Sequence, residues 1–222
     1  MRGKLCYGAG AMSSDSERIV GLYQRHAAVW DRLRSPGSLF EKAWLDRFLA
    51  LLPARASILD LGCGAGLPIS GYLIGQGHNL TGVDTSEPLL DMARGRFPHQ
   101  EWMVGDMRTL ALGRRFDGIL AWDSFFHLSP EDQTAMFPVF ERHAGRGAAL
   151  LFTSGPQHGS VLGEFEGEPL YHGSLDAEEY RGLLAGIGFD VVSHVVEDPA
   201  CGDHTIWLAR ARSAPEEAGC LL

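Results

Sequence analysis

Five short runs rich in aliphatic and β-branched residues, at 57–61, 79–84, 101–106, 116–123 and 147–154, are separated for the most part by amphipathic stretches of helical period. Such an alternation predicts a parallel sheet with helices covering both faces. Gly118-Ile119-Leu120-Ala121-Trp122 shows no polar alternation, the pattern of a strand buried on both sides. Two further strands are expected at 190–196 and 204–211. The connection at 197–203 is too short for a crossover helix, so these last two should be antiparallel neighbours. Ahead of the sheet, apolar residues spaced by three and four predict helices over 15–34 and 39–52, closed by Ser35-Pro36-Gly37 and by Pro53. A Gly/Pro-rich stretch at 155–174 reads as a loop insertion beside the ligand edge of the sheet, followed by a helix over 175–186. One domain over 15–212 is expected, with 15–52 as a helical lid, 1–14 as a tag-like or disordered start and 213–222 as a disordered tail.

Composition narrows the function classes. The 222 residues are 45% apolar, enough to bury a core, yet no run reaches the roughly eighteen apolar residues of a membrane span. Formal net charge is −9, and no cationic block is longer than a pair such as Arg114-Arg115. Binding to a phosphate backbone relies on clustered cations, so a nucleic-acid substrate is disfavoured. Cys6, Cys63, Cys201 and Cys220 have neither metal-ligand nor disulfide-framework spacing, which points to a reducing cytoplasm. A monomer or homodimer is expected.

The sharpest motif is the apolar run Ile58-Leu59-Asp60-Leu61 passing straight into Gly62-Cys63-Gly64-Ala65-Gly66. Glycines at a strand-to-helix turn allow a tight bend and close approach to a ligand. The dinucleotide fingerprint G-x-G-x-x-G needs its third glycine at position 67, which is Leu67. The spacing is instead G-x-G-x-G with an acid two residues ahead.

On these residues the sequence resembles the class I S-adenosylmethionine-dependent methyltransferases, over roughly 57–210. The resemblance implies a doubly wound, Rossmann-like α/β sheet in the order 3-2-1-4-5-7-6 with only strand seven antiparallel. It further implies S-adenosylmethionine as cofactor and methyl transfer to an oxygen, nitrogen or sulfur of a small-molecule acceptor. Charge agrees: an acid ahead of the turn suits a sulfonium and an ammonium better than the pyrophosphate of NAD. Asp60, Gly62, Cys63, Gly64 and Gly66 are then expected around the methionine part, Asp84 and Thr85 at the ribose, and Asp106 and Met107 at the adenine. Ala121 and Trp122 are expected alongside the cofactor. Each acid has a plainer reading: Asp84 as a cap for the helix after it, a task open equally to Ser86, and Asp106 as a solvated turn acid.

The segment 116–128 matches the family's fourth motif region, which implies that Asp123, Phe126 and His127 face the methyl group or its acceptor. It lacks the Asn/Asp-Pro-Pro-aromatic motif of enzymes that methylate base amino groups. His127 is the best candidate general base, with an ordinary pKa near neutrality, unless it is a helix-start histidine packed on Phe125. Asp123 either orients a substrate amine or caps the helix at 129–131. Substrate contacts are expected from Tyr23 and Trp30 on the lid and from His158, Tyr171 and His172 on the insertion, although aromatics at helical spacing also serve as core. Trp44 stands under the same two readings. Arg25, Arg32 and Arg34 are equal candidates for the cofactor carboxylate. No metal is expected, since His158 and His172 lack a spacing such as H-E-x-x-H. Two alternatives stay open: an NAD-dependent oxidoreductase, and a binding protein without catalysis.

Overall fold

The computed structural model describes residues 13–35 and 38–212; the expectations for 1–12 and 213–222 lie outside them. In chain order the strands are β1 (Ser57–Leu61), β2 (Asn79–Asp84), β3 (Glu101–Val104), β4 (Phe116–Ala121), β5 (Ala144–Ser154), β6 (Gly159–Phe165), β7 (Glu168–Ser174), β8 (Phe189–Asp198) and β9 (His204–Ala211). Seven form one sheet in the order β3-β2-β1-β4-β5-β9-β8, the expected arrangement renumbered by two because β6 and β7 make a sheet of their own. Within the large sheet β9 alone runs against its neighbours, β5 and β8.

The helices are α1 (Ser13–Arg25), α2 (Ala27–Arg34), α3 (Lys42–Leu49), α4 (Ile69–Gly75), α5 (Glu87–Arg96), α6 (Pro130–His143) and α7 (Ala177–Gly186). Strand β4 shows why both faces need covering. Its Ile119 and Ala121 enter a core with Phe137, Phe140 and Tyr180 from α6 and α7, while Leu120 and the following Trp122 enter one with Trp44, Phe48, Leu73 and Leu90 from α3, α4 and α5. Successive side chains point to opposite faces, and each face is dry.

Four expectations change. The helix over 15–34 is two helices, broken at His26, whose φ of −106° and ψ of 17° leave the helical region. The segment 155–174 is a β-hairpin rather than a loop. Its two-residue turn, Glu166-Gly167, has φ of 52° and 79°, the positive pair that suits tight hairpins. Gly159, Gly163 and Pro169 hid the alternation that would have revealed strands. Helix α7 starts at Ala177 because Asp176 and Glu179 form a capping box: Asp176 accepts the Glu179 N–H at 2.9 Å, and the Glu179 carboxylate accepts the Asp176 N–H at 2.8 Å. Finally, the third helix is no part of a lid, since Trp44, Leu45 and Phe48 are buried against the sheet. The cover over the ligand edge is α1 and α2, backed by β7, which lies against α1 and the turn Phe125–His127.

Candidate active site

The carboxyl ends of β1, β2 and β4 open into a cleft roofed by α1 and α2. Sheets of this type receive ligands at that edge. The glycine turn forms one wall. Gly62, Gly64 and Gly66 have φ of 74°, 54° and 77°, a region costly for residues with a β-carbon. At Gly62 a β-carbon would also stand 2.2 Å from the Ser124 Cβ, so the position excludes any other residue twice over.

Acids arm this wall. Asp60 is 4% exposed and accepts a hydrogen bond from the Ser70 hydroxyl at 2.7 Å. Burial pushes its carboxyl up to about 7; the Ser70 hydroxyl opposes that shift and the nearby Asp84 adds to it. Asp84 accepts the Gly64 N–H at 2.9 Å on one oxygen and the Ser86 N–H at 2.8 Å on the other. Its main structural work is therefore to pin the glycine turn to the end of β2. Burial raises its pKa against those backbone bonds. A carboxylate has about four lone-pair sites, so Asp84 keeps acceptor capacity for a ligand. Asp106 is more fully used. It accepts the Arg108 N–H at 2.9 Å and the Arg108 guanidinium at 2.6 Å, and Arg108 also reaches Asp132 at 2.9 Å. Burial raises the Asp106 pKa, but Arg108 overrides it and the net direction is downward. Cys63 lines the cleft as a neutral thiol, its pKa driven up by burial.

The opposite wall is built at the end of β4. The Tyr23 hydroxyl of α1 lies 2.9 Å from His127 Nε2, and His127 Nδ1 lies 2.8 Å from the Tyr171 carbonyl. A carbonyl only accepts, so Nδ1 carries the ring proton, Nε2 accepts, and the Tyr23 hydroxyl donates to it. Burial lowers the His127 pKa to about 4 and raises that of Tyr23. His127 is therefore held as a neutral ring whose basic nitrogen already accepts from Tyr23. Asp123 stands beside this pair with a φ of 50° and pairs with His204 at 2.7 Å from the start of β9. The helix-cap reading of Asp123 fails, because Ser129 caps α6 by accepting the Asp132 N–H.

Of the residues singled out in the sequence, the cleft is lined by Asp60, Gly62, Cys63, Gly64, Gly66, Asp84, Thr85, Asp106, Met107, Trp122, Asp123, His127, Tyr23 and Trp30. Five others stand elsewhere. Ala121 is fully buried in the core behind the strand end. Tyr171 is buried between α1 and the hairpin and reaches the site only through its carbonyl. Phe126 and His172 pack on each other and on His127, behind the cleft wall. His158 is on the surface, paired with Glu179 at 2.7 Å. Among the three arginines, Arg34 lines the cleft, paired with the buried Glu41, whereas Arg25 pairs with Glu168 outside it. Ser70, Ser124, Arg108 and His204 carried no signal in the sequence, because each gains its role from a partner that only the fold brings near.

Residues 58–147 match the family described as a methyltransferase domain. Among curated proteins, the chain is 34% identical over 93 residues to dTDP-3-amino-3,6-dideoxy-alpha-D-glucopyranose N,N-dimethyltransferase of Streptomyces fradiae, covering 41% of this chain and 35% of that one. It is 34% identical over 112 residues to malonyl-[acyl-carrier protein] O-methyltransferase of Pseudescherichia vulneris, covering 49% and 43%. A putative methyltransferase of Bacillus subtilis is 32% identical over 116 residues, covering 50% and 46%, so the chain spans less than half the length of these relatives. Among solved structures, 1,6-didemethyltoxoflavin-N1-methyltransferase of Burkholderia thailandensis superposes with a TM-score of 0.70 at 20% identity over 94% of both chains. The matched segment holds the glycine turn, Asp84, Asp106, Asp123 and His127, and the chain shares the fold of the solved methyltransferases.

Proposed function

We propose that the chain binds S-adenosylmethionine in this cleft and transfers its methyl group to a small-molecule acceptor. One observation carries the reading: a glycine turn flanked by the buried acid Asp60 and the half-buried Asp84 faces, across a single cleft, a polar pair at the end of β4. The wall fits such a cofactor. Asp60 is a buried acid beside Gly62, a position that admits no β-carbon, and is suited to an ammonium group. Asp84 has lone pairs for ribose hydroxyls, and Arg34, which lines the cleft while paired with Glu41, is the candidate for the carboxylate. Asp106 is held by Arg108, so at the adenine edge it has little acceptor capacity left, and the backbone around Met107 takes the larger part.

When bound, the sulfonium supplies an electrophilic methyl group. Catalysis by the protein is then chiefly the holding of a nucleophile in line with it. Tyr23 donates its proton to His127 and keeps oxygen lone pairs that accept an N–H or O–H from the acceptor, aiming the acceptor's own lone pair. His127, held neutral by burial and fixed by the Tyr171 carbonyl, sets the direction of the Tyr23 hydroxyl rather than collecting a proton. Two of the curated relatives named above are an N- and an O-methyltransferase, so they leave the acceptor atom open.

The net charge of −9 supports a small-molecule acceptor over a nucleic acid. Cys63 and Cys201 are free thiols, and no described helix is long and apolar enough to cross a membrane; both accord with a cytoplasmic setting. Incubation with methyl-labelled S-adenosylmethionine and a cell metabolite extract tests the reading: label should pass to a small molecule. Absence of transfer to every fraction, with the cofactor bound, would favour a binding role.

A further inference from the structure

Asp123 and His204 form a second charged pair at the acceptor end of the cleft, from residues 81 positions apart. His204 Nε2 lies 2.7 Å from Asp123 Oδ1, and His204 Nδ1 lies 2.6 Å from the Cys201 carbonyl. Both ring nitrogens face acceptors, so both carry protons and the ring is an imidazolium. It is sandwiched between Trp122 and Phe40, each with its ring centroid 5.7 Å away, which suits a cation over aromatic faces. Burial alone would lower the His204 pKa, but Asp123, the Cys201 carbonyl and Glu41 reverse it to a net rise. Asp123 is set as firmly: its N–H donates to the Thr153 hydroxyl at 3.0 Å, and its left-handed backbone aims the side chain at the cleft it lines. Its carboxyl pKa is raised by burial and lowered further than that by His204, Arg34 and His127.

We propose that Asp123, ion-paired to His204, is the acceptor-recognising carboxylate of this site, and that the acceptor attacks as an amine. The inference rests on the methyltransferase reading. His204 takes Asp123 Oδ1, which leaves Oδ2 as an acceptor for an N–H, and an anionic nucleophile, a phenolate or a carboxylate, brings no hydrogen to it. An amine does. Its nitrogen lone pair forms the new N–C bond while the C–S bond breaks with its electrons left on sulfur; positive charge passes from sulfur to nitrogen and stays beside Asp123. The products are a methylated ammonium and a neutral thioether. The amine attacks as its free base, any ammonium proton having passed to solvent before the acceptor is seated, and no proton moves in the step itself, which agrees with a His127 already engaged by Tyr23. His204 acts through Asp123 and is a positioning residue.

Two probes test this without the acceptor: S-adenosylhomocysteine, and sinefungin, in which a carbon bearing a primary amine replaces the methylated sulfur. The sinefungin ammonium occupies the place of the methyl group. Isothermal titration of the wild-type chain should show sinefungin binding about tenfold tighter than S-adenosylhomocysteine. Asp123→Asn should cut that preference by about tenfold, and His204→Gln by a smaller factor, with S-adenosylhomocysteine affinity in both within about threefold of wild type. Retained S-adenosylhomocysteine binding shows that each variant is folded. A sinefungin preference unchanged in Asp123→Asn overturns the proposal, and one changed in Asp123→Asn but not in His204→Gln overturns the role of His204. Wild-type protein that binds neither probe removes the methyltransferase reading, and this inference with it.

Discussion

The two walls of the cleft are built in opposite ways. The cofactor wall is nearly one continuous piece of chain, from Asp60 through Gly66, whose backbone is held from outside by Asp84 on the Gly64 N–H, Ser124 on the Leu61 carbonyl and Arg96 on the Ala65 carbonyl. The acceptor wall joins Tyr23 of α1 to His127, 104 positions on, and Asp123 to His204, 81 positions on. A locally encoded wall tolerates little change within its turn but can be carried from one protein to another intact. A wall assembled across the fold can be altered one partner at a time, which is how one scaffold serves many acceptors.

The comparison breaks first at Gly62. Gly62→Val adds a side chain at a φ of 74° and against Ser124, so S-adenosylhomocysteine binding should fall by more than ~100-fold, with a lower melting temperature. Titration calorimetry and a thermal melt check it; near-normal affinity would show that the turn is not the cofactor wall. On the other side, Tyr23→Phe should lower methyl transfer by about 100-fold while leaving cofactor affinity within about threefold. An equal loss of both would mean that the two walls are not separable.

Protonation sharpens the contrast. Free Asp60 titrates near 7 and must ionise to hold an ammonium, so affinity for S-adenosylhomocysteine should weaken by up to about tenfold for each pH unit below 7. Asp60→Asn should be weaker and flat across that range. On the acceptor side, burial lowers the pKa of His127 to about 4 and that of His172 to about 3. Their folded pKa values lie below the unfolded value near 6.5, so the unfolded chain binds more protons in acid. Stability contributed by the neutral rings is complete above about 6.5 and is lost as pH falls toward 4 and 3, by about 1.4 kcal/mol per unit for each ring. Denaturant titration at stepped pH measures this, and His172→Phe should flatten its share. The smallest effect belongs to the hairpin tip, where Glu168 takes Arg25 and His26 on the protein surface. Glu168→Gln should quicken amide exchange over 159–174 while leaving the melting temperature within about 2 °C, since exposed pairs contribute little.

These two constructions also mark what could be read from the sequence. The strands, the terminal antiparallel pair and the glycine turn were legible because hydrophobic period and glycine spacing are local signals, while the strand order followed only from the family resemblance. Asp60 and Asp84 were legible because strand ends in such a sheet have fixed places. The hairpin at 159–174 was not, because glycine and proline interrupt its period. The charge pair on His204 was not either: nothing near position 204 marks a ligand for Asp123, and only β9 entering beside β5 brings them together. For His127 the sequence left a base and a packed histidine both open, since its burial and its Tyr23 partner are tertiary facts.

The most direct test is titration of the wild-type chain with S-adenosylhomocysteine, set against NADH. A cleft built as described here takes up S-adenosylhomocysteine at one saturable site and gives no heat with NADH. Saturable heat from NADH and none from S-adenosylhomocysteine would contradict the cofactor wall, and everything placed opposite it.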